Sequence, residues 1–405
     1  MGYFDTSMSG VKWIGSFKIL SRILSLVRIA ILARILSPIQ FGVFGIASLA
    51  LSVVETLTEP GIYVYLMQEK KSIHKYIDTA WVISILRGVL LFTTLIFSSG
   101  IISGFFNTPE VKHIINLIAL VVLIRGFMNP LRVNFLKQLD YRKEFSINSL
   151  VLSVDIVVTV LSVALFKDPL GLVLGLIAGA IVEVILSFAL IKYHPKIKFD
   201  IRLAKKITSA GKWVTGSTIF NFLFSEGDDT LVGKLLGKYD LGIYQISYKI
   251  ATLPLTEITN VANTVTFPIF VQISNEKKRI AKVFIKTALI IGLLSFVLST
   301  FIFLFADTIV AILLGSAWSD SVDLIKLLVI FGFIRAIAIS CNPLFNALKK
   351  QKYVTLYTTI SFVLMAMTIF PLMQKFGLRG VIYSVIISSS ISFLVNVINV
   401  IKVLK

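Results

Sequence analysis

Two stretches of this chain, one near its start and one past its middle, carry the same pattern. They read ARILSPIQFGVFGI at residues 33–46 and GKLLGKYDLGIYQI at residues 233–246. Aligned without a gap, they match at a leucine, a glycine and an aromatic position: Leu36 with Leu236, Gly42 with Gly242, and Phe44 with Tyr244. Apolar sequences produce such matches by accident, so one pair alone is weak evidence of a repeat.

A second match supports the first. Ile124-Arg125 followed by Asn129-Pro130-Leu131 recurs as Ile334-Arg335 followed by Asn342-Pro343-Leu344. Two matches in the same order predict that the chain consists of two related halves. Internal duplication of membrane helices is above all typical of transporters.

The composition is that of a membrane protein. Hydrophobic residues make up 56% of the 405 residues and charged residues 15%, and the mean hydropathy is +0.90. Soluble domains carry roughly 25% charged residues, and no separate soluble domain is visible. Cys341 is the only cysteine, and the three histidines are far apart in the sequence. A disulfide framework, a thiol metal cluster and a histidine metal site are therefore not expected.

Apolar stretches of about 20 residues are long enough to cross a bilayer as helices. We predict twelve such spans: 13–35, 41–66, 78–99, 111–131, 145–166, 170–192, 208–233, 240–270, 281–306, 322–348, 354–374 and 378–401. Six spans in each half would run both halves through the membrane in the same direction. The predicted fold is all-α and polytopic, with about twelve transmembrane helices in two six-helix lobes. The lobes are expected to be related by a parallel repeat around a central cavity.

The basic residues predict the orientation and the domain boundaries. Most of the 40 Lys and Arg residues fall in short segments on the side of the N-terminus, which places both termini in the cytoplasm. We predict an N-terminal lobe at 1–192, a basic cytoplasmic connection at 193–207 and a C-terminal lobe at 208–405. The net charge of +19 reflects this topology. Bases scattered over thin loops do not indicate nucleic-acid binding.

Charged residues inside the spans are the candidate site residues, because each is costly in a bilayer unless it faces water or a partner. In the first span Lys18, Arg22 and Arg28 lie on one helical stripe. No small-residue cleavage pattern follows this span, which argues against a signal peptide. The outer bases could snorkel to the interface, whereas Arg28 is expected to face a cavity.

The second span carries acidic residues. Glu55 and Glu59 share one stripe, and Pro60-Gly61 directly afterwards predicts a kinked or broken helix. The two carboxylates either neutralise nearby arginines such as Arg87 in structural ion pairs or bind a coupling ion. The readings are compatible, since a group that is paired in one conformation can bind an ion in another.

The other charged positions in the spans have simpler explanations. Asp228 and Asp229 lie toward the outer end of the seventh span, either as solvated helix-end carboxylates or as ion-binding groups. Asp155 and Glu183 are single carboxylates, for which local polar contacts are expected. A small-residue ladder that permits close helix packing runs through the sixth span: Gly171, Gly175 and Gly179.

The connecting loops show no arrangement typical of an active site. No nucleophile with a base and no pair of carboxylates stands out in them, and the loops are short. The sequence therefore predicts a protein that binds and moves a substrate. It does not predict an enzyme or a protein with an organic cofactor.

The matched stretches also resemble a known family. The stretch at 33–44 resembles the first-loop signature of the Wzx-type polysaccharide flippases, which belong to the multidrug/oligosaccharidyl-lipid/polysaccharide exporter superfamily. The stretch at 229–244 is similar to the signature that opens the second lobe of that family. The segments FFNTPE at 105–110 and FLKQLDY at 135–141 resemble its colanic-acid-exporter branch.

The resemblance implies a two-lobed, V-shaped bundle in the bacterial cytoplasmic membrane. Such proteins turn undecaprenyl-diphosphate-linked oligosaccharides from the inner to the outer leaflet during lipopolysaccharide or exopolysaccharide biosynthesis. Alternating access is implied, commonly coupled to a proton or Na⁺ gradient, and polysaccharide polymerases and glycosyltransferases are implied partners. Many relatives are longer, and some have two further helices.

The expected substrate suggests roles for the charged residues. A diphosphate is anionic, and the planar, permanently charged guanidinium of Arg suits phosphate oxygens. The candidates for substrate binding are therefore basic: Arg22, Arg28, Arg87 and Lys18. The candidates for ion coupling are acidic: Glu55, Glu59, Asp228 and Asp229.

Other functions stay open. A flippase for peptidoglycan lipid precursors would use similar cationic chemistry, and genomic neighbours would separate the two. A multidrug extruder of cations would need an anionic cavity, which the basic first lobe argues against. A membrane-embedded glycan polymerase or ligase would need a larger outer loop than the one at about 307–321.

Overall fold

The computed structural model describes residues 20–57, 61–69, 73–138 and 140–404, without the side chains of Leu57, Val64 and residues 209–225. The candidates Lys18 and Glu59 lie outside the described residues. The described part is almost entirely helical and contains no strand. The chain is an all-α polytopic membrane protein, as predicted. It divides into two compact units, Met1–Lys238 and Tyr239–Lys405.

The first unit holds helices α1 to α9 of the described chain. They are α1 over 20–33, α2 Pro38–Leu57, α3 Ile62–Gln68, α4 His74–Phe105, α5 Val111–Gly126, α6 Val133–Lys137, α7 Tyr141–Phe166, α8 Leu170–Ala189 and α9 Ile201–Leu235. A short 3₁₀ turn, Pro130–Arg132, lies between α5 and α6.

The described part of the second unit contains seven α-helices, of which the first, α10, begins at Lys238, the last residue of the first unit. Its helices are α10 Lys238–Gln272, α11 Lys277–Leu304, α12 Ala306–Leu313, α13 Ser321–Ile339, α14 Asn342–Ala347, α15 Lys352–Phe376 and α16 Leu378–Leu404. Pro254 and Pro268 lie inside α10. A hydrophobic cluster of this unit joins α10, α11, α14 and α16 around Phe270, Phe284 and Phe345.

Eight of the described helices are long and apolar enough to cross a membrane. The count rises to nine if α5 and the segment Pro130–Lys137, which are bent by 69° at the break between them, form one span. The predicted first span begins outside the described residues. Helices α9 and α10, of 35 residues each, are long enough to cross but are not among the eight. The number twelve stays a prediction.

In both pairs of matched stretches, helices begin at or beside equivalent positions of the two copies. In the first match, α2 begins at Pro38 and α10 begins at Lys238, the aligned position. The turn before α10 uses Gly237 at φ 95°, a left-handed conformation that glycine adopts without strain. In the second match, Pro130 and Pro343 each lie in the first turn of a short helix that follows a longer one. Proline suits this position because the first helical N–H groups have no intrahelical acceptor.

The structure corrects several predicted boundaries. The span predicted at 41–66 is two helices: α2 ends at Leu57, Gly61 has a left-handed φ of 64°, and α3 begins at Ile62. This confirms the break predicted at Pro60-Gly61. The span predicted at 322–348 agrees with one candidate membrane span, Ser321–Ala347, which a short turn divides into α13 and α14.

The basic connection predicted at 193–207 is in part helix. Residues from Ile201 onward form the first turns of α9, because the Asp200 carboxylate accepts the N–H groups of Arg202 and Leu203 at 2.7 and 3.2 Å. Ile207 is fully buried in a hydrophobic cluster of the first unit. Contacts in the structure place the boundary between units after α9, whereas the predicted boundaries of 192 and 208 stay a prediction.

The glycine ladder brings α7 and α8 into close contact. A Cβ atom on Gly171 would lie 2.7 Å from the backbone nitrogen of Val163, and one on Gly175 would lie 1.9 Å from Thr159 Oγ1 and 2.6 Å from Asp155 Oδ1. Neither glycine could carry a side chain without moving α7. The ladder therefore packs these two helices together, as the sequence indicated.

We expect Gly175→Ala to destabilise the protein. The added methyl group must push Thr159 or Asp155 aside, and overpacking of this kind costs about 1–3 kcal/mol. Thermal unfolding of purified protein in detergent, followed by size-exclusion chromatography, would measure the loss. Gly100→Ala in α4 is the control, since no atom lies within 4 Å of its added Cβ. Equal unfolding temperatures for the two variants would contradict the packing account.

Candidate functional site

A cavity of about 350 Å³ opens within the first unit. It lies where the end of α2, the middle of α4 and the end of α5 meet α3, α6 and the start of α7. Its lining combines charged and polar side chains with aliphatic ones. The polar members are Glu55, Tyr63, Ser84, Arg87, Arg125, Asn129, Arg132 and Glu144, and the apolar ones include Ile62, Leu66, Leu91, Val122, Val133 and Leu136.

Arg132 is the most heavily bonded residue of the cavity wall. Its Nη1 donates to Glu183 Oε1 at 2.6 Å, and its Nη2 donates to Glu144 Oε1 at 2.8 Å and to Asn148 Oδ1 at 2.6 Å. The Nε of Arg125 lies 3.3 Å from the other oxygen of Glu183. The side chain of Arg132 is only 11% exposed. Together these bonds fasten the turn after α5 to α7 and α8.

Asn129 stabilises the same turn by hydrogen bonds that involve backbone groups. It is fully buried, and its Oδ1 accepts the N–H of Leu131 at 3.0 Å. Its Nδ2 donates to the carbonyl of Tyr193 at 2.9 Å, and its own N–H donates to Ser187 Oγ at 3.1 Å. The break in the helix is therefore closed by side chains, as it must be inside a membrane domain.

Arg87 and Glu55 meet in the cavity. The Nη2 of Arg87 donates to the backbone carbonyl of Glu55 at 3.1 Å. This carbonyl belongs to the last described turn of α2. Both residues line the cavity. The structure thus brings together one predicted substrate-binding residue and one predicted coupling residue.

Arg28 has a different environment from the one expected. Its Nη1 lies 2.7 Å from Asp155 Oδ2, and its Nη2 donates to Thr159 Oγ1 at 3.1 Å. The two side chains of the ion pair are 18% and 12% exposed. Arg28 is not among the residues that line the cavity. The local polar contact expected for Asp155 is this ion pair, and the absent side chain of Gly175 leaves room for it.

The remaining candidates lie elsewhere. Arg22 is exposed on α1. Asp228 is buried in α9 and accepts the backbone N–H of Asp229 at 3.0 Å, while Asp229 is half-buried. None of these three lines the cavity.

The cluster around Arg132 is not predicted by the sequence. For Glu183 the sequence predicts only a local polar contact, and it assigns no role to Arg125 or Arg132. One signal pointed to the place: the matched Asn-Pro pair marked the turn that carries Arg132. The partners come from α7 and α8, so no spacing in the sequence could have identified them.

The site can bind an amphiphile that carries negative charge. Guanidinium groups on one wall suit an anionic head, and the aliphatic side chains suit an apolar chain. Among the described residues, no group of three or more His, Cys, Asp or Glu side chains is placed to hold a metal ion. The described residues of the cavity wall thus supply charged and apolar contacts for a bound amphiphile.

Comparison with known proteins identifies relatives. A family model described as polysaccharide biosynthesis protein matches residues 31–323. The lipopolysaccharide biosynthesis protein WzxC of Escherichia coli K12 is 22% identical over 346 residues, which are 85% of this chain and 70% of WzxC. The teichuronic acid biosynthesis protein TuaB of Bacillus subtilis 168 is 26% identical over 393 residues, 96% of this chain and 81% of TuaB.

A solved structure shares the fold. An inward-facing multidrug resistance MATE family transporter of the MOP superfamily superimposes with a TM-score of 0.74. The two chains are 14% identical, and the match covers 95% of each. At this identity the likeness concerns the fold alone.

We expect the Arg28–Asp155 pair to behave as a buried ion pair. Arg28→Met leaves the carboxylate of Asp155 without its base, which should lower the free energy of unfolding by about 3–5 kcal/mol. The double variant Arg28→Met/Asp155→Leu should recover most of the loss. Lys326→Met is the control, because its partner Asp307 is 70% exposed and such pairs contribute about 0–1 kcal/mol. Denaturant titration in detergent measures all three, and a double variant as unstable as Arg28→Met would contradict the assignment.

Proposed function

The chain belongs to the family of polysaccharide biosynthesis proteins, and from this membership we propose that it is a lipid-linked oligosaccharide flippase. It moves an oligosaccharide carried on undecaprenyl diphosphate from the inner to the outer leaflet of the bacterial cytoplasmic membrane. The motion is alternating access, and both termini face the cytoplasm. The protein moves its substrate without making or breaking covalent bonds in it, and the polymerase and glycosyltransferases of the same pathway are its partners.

The observation that carries the proposal is the family match, which covers most of the chain. The relatives' names refer to the biosynthesis of lipopolysaccharide and of teichuronic acid. The likeness in fold to a multidrug transporter does not choose between substrates. The cavity wall offers guanidinium groups, which suit phosphate oxygens, together with the carboxylates of Glu55 and Glu144.

Arg87 is the first contact that we assign to the diphosphate. It is the one residue among the predicted basic candidates that lines the cavity in the described structure. Arg125 lies in the same wall with 43% of its side chain exposed, so it can approach the same phosphates. Arg132 is saturated by carboxylates and serves to position the wall. Arg22 and Lys18 remain proposed contacts for the substrate before it enters.

A sidedness assay in the native host tests this function. Deletion of the gene should cause lipid-linked oligosaccharide to accumulate on the inner leaflet, protected from a glycosidase added outside spheroplasts. Wild-type protein should restore external cleavage. Arg87→Gln should restore it at least tenfold less well, since a lost charge-assisted contact to phosphate is worth about 1.5–3 kcal/mol.

Arg279→Gln is the matched control, because Arg279 is exposed and pairs only with Glu276 in its own helical turn among the contacts described. The control should behave like wild type. Accumulation of a peptidoglycan precursor instead of a polysaccharide repeat unit would overturn the proposed substrate. Full activity of Arg87→Gln at wild-type protein levels would overturn the assigned contact alone.

We propose that Glu55 couples transport to an ion gradient. Its carboxylate lines the cavity, and its backbone is held by Arg87, so a change of its charge acts next to the substrate. Glu55→Gln should make transport insensitive to collapse of the coupling gradient, whereas wild-type transport should stop. Separate ionophores for H⁺ and Na⁺ identify the ion. Wild-type transport that survives collapse of both gradients would refute coupling, and an unchanged response in Glu55→Gln would refute the role of Glu55.

A further inference from the structure

The segment that joins α8 to α9 alternates basic and apolar residues. Residues 195–202 read PKIKFDIR. Six bases lie between 190 and 208, against a single acid, Asp200, whose carboxylate is engaged as the cap of α9. All six are exposed: Lys192, Lys196, Lys198, Arg202, Lys205 and Lys206. We name residues 191–200 the basic hook.

The basic hook has a fixed shape. The N–H of Lys198 donates to the carbonyl of Lys196 at 2.8 Å, which closes a three-residue turn with Ile197 at its centre. Ile197 is 83% exposed, and the apolar residues that follow, Phe199 and Ile201, are 52% and 59% exposed. At the end of the basic hook and the first residue of α9, three large apolar side chains within five residues are thus exposed among bases.

Hydrogen bonds fasten the basic hook to the start of α4. Asp78 Oδ1 accepts both the hydroxyl of Tyr193 at 2.9 Å and the N–H of Lys196 at 3.0 Å. Thr79 Oγ1 accepts the N–H of Asp200 at 3.3 Å. The bond to Asp78 raises the pKa of Tyr193, so its phenol stays protonated and keeps donating. The turn at Ile197 is thus held by hydrogen bonds on both sides, at Lys196 before it and at Asp200 after it.

These anchors set the height of the basic hook relative to the membrane. Asp78 and Thr79 lie in the second turn of α4, immediately before its apolar stretch begins, and α4 is long and apolar enough to span a membrane. Trp81 and Phe188 pack together at this height, and Phe188 also contacts the ring of His194. Tryptophan and other amphipathic rings concentrate at the membrane–water interface. The exposed turn at Ile197 is therefore next to the end of a helix that is able to span a membrane.

We propose that the basic hook is a binding site for anionic lipid headgroups. Ile197 and Phe199 insert among the upper acyl carbons, while the lysines beside them and Arg202 contact phosphate groups. Apolar insertion combined with basic residues is how interfacial segments bind anionic membranes. The cytoplasmic leaflet, on the side where the positive charges of this chain are predicted, carries such lipids. The inference concerns the bilayer and does not depend on the transported substrate.

Fluorescence of the full-length protein in vesicles tests the inference. Ile197→Cys is labelled with an environment-sensitive nitrobenzoxadiazole dye, and the buried Cys341 stays unreacted in the folded protein. Gln138→Cys is the matched control, because Gln138 is exposed at the same end of the first unit, after α6 and before α7. The vesicles contain phosphatidylcholine with phosphatidylglycerol, one of the two carrying a quencher on its acyl chain.

We expect the dye at 197 to emit at shorter wavelength than the dye at 138. It should also be quenched several-fold more by labelled phosphatidylglycerol than by labelled phosphatidylcholine. Replacing Lys196, Lys198 and Arg202 by Gln should lower this preference roughly two- to fivefold per base. High salt should weaken the preference in the unaltered protein.

Two results would overturn the proposal. Emission typical of water at position 197 in every vesicle would show that the turn at Ile197 is outside the bilayer. A protein would then be the remaining candidate to cover this surface. Equal quenching by the two lipids, or a preference that survives loss of the three bases, would show that the charges do not select anionic headgroups. Gln138→Cys carries the same dye, so a general effect of labelling on folding would alter both variants and is distinguishable from either result.

Discussion

The guanidinium group of Arg132, held between Glu144 and Glu183, is the interaction on which the described site depends. Helix α5 ends at Gly126, and the chain bends by 69° before α6. In a membrane such a break must be closed by protein groups, because lipid offers no hydrogen bonds. Arg132 and Asn129 provide that closure from one turn. The space left beside the bend is the cavity.

Arg28 and Arg87 differ in the contacts that the structure describes for them. Arg28 is held by Asp155 and Thr159 in the close contact that Gly175 permits between α7 and α8. Removal of a buried charge from such a pair is costly, so its first role is to hold α1 to α7. Arg87 donates to the backbone carbonyl of Glu55 and lies in the cavity wall. This position in the wall is the reason for proposing Arg87 as a contact for an anionic substrate.

The charged and polar groups discussed above are concentrated toward one end of the first unit. The cavity reaches from the middle of α4 and the end of α5 to the start of α7. The Arg132 cluster and the basic hook lie near it, where α4 and α7 begin and where α5 and α8 end. Asn129 links two of them directly, since its amide donates to the carbonyl of Tyr193 in the basic hook. A substrate that consists of a charged headgroup on a lipid meets this end of the protein at the bilayer surface. The same end therefore serves both the proposed substrate and the surrounding lipid.

The sequence by itself determined the class of the protein, its family resemblance and the matched stretches at 33–46 and 233–246. These depend on hydropathy and local turn chemistry, which neighbouring residues specify. It also indicated the glycine ladder and the break at Pro60-Gly61. Only the tertiary structure decided which charges meet: Arg28 with Asp155, and Arg132 with Glu144 and Glu183. Such pairs join helices far apart in the chain, and a helix stripe specifies a direction without specifying the helix that it faces.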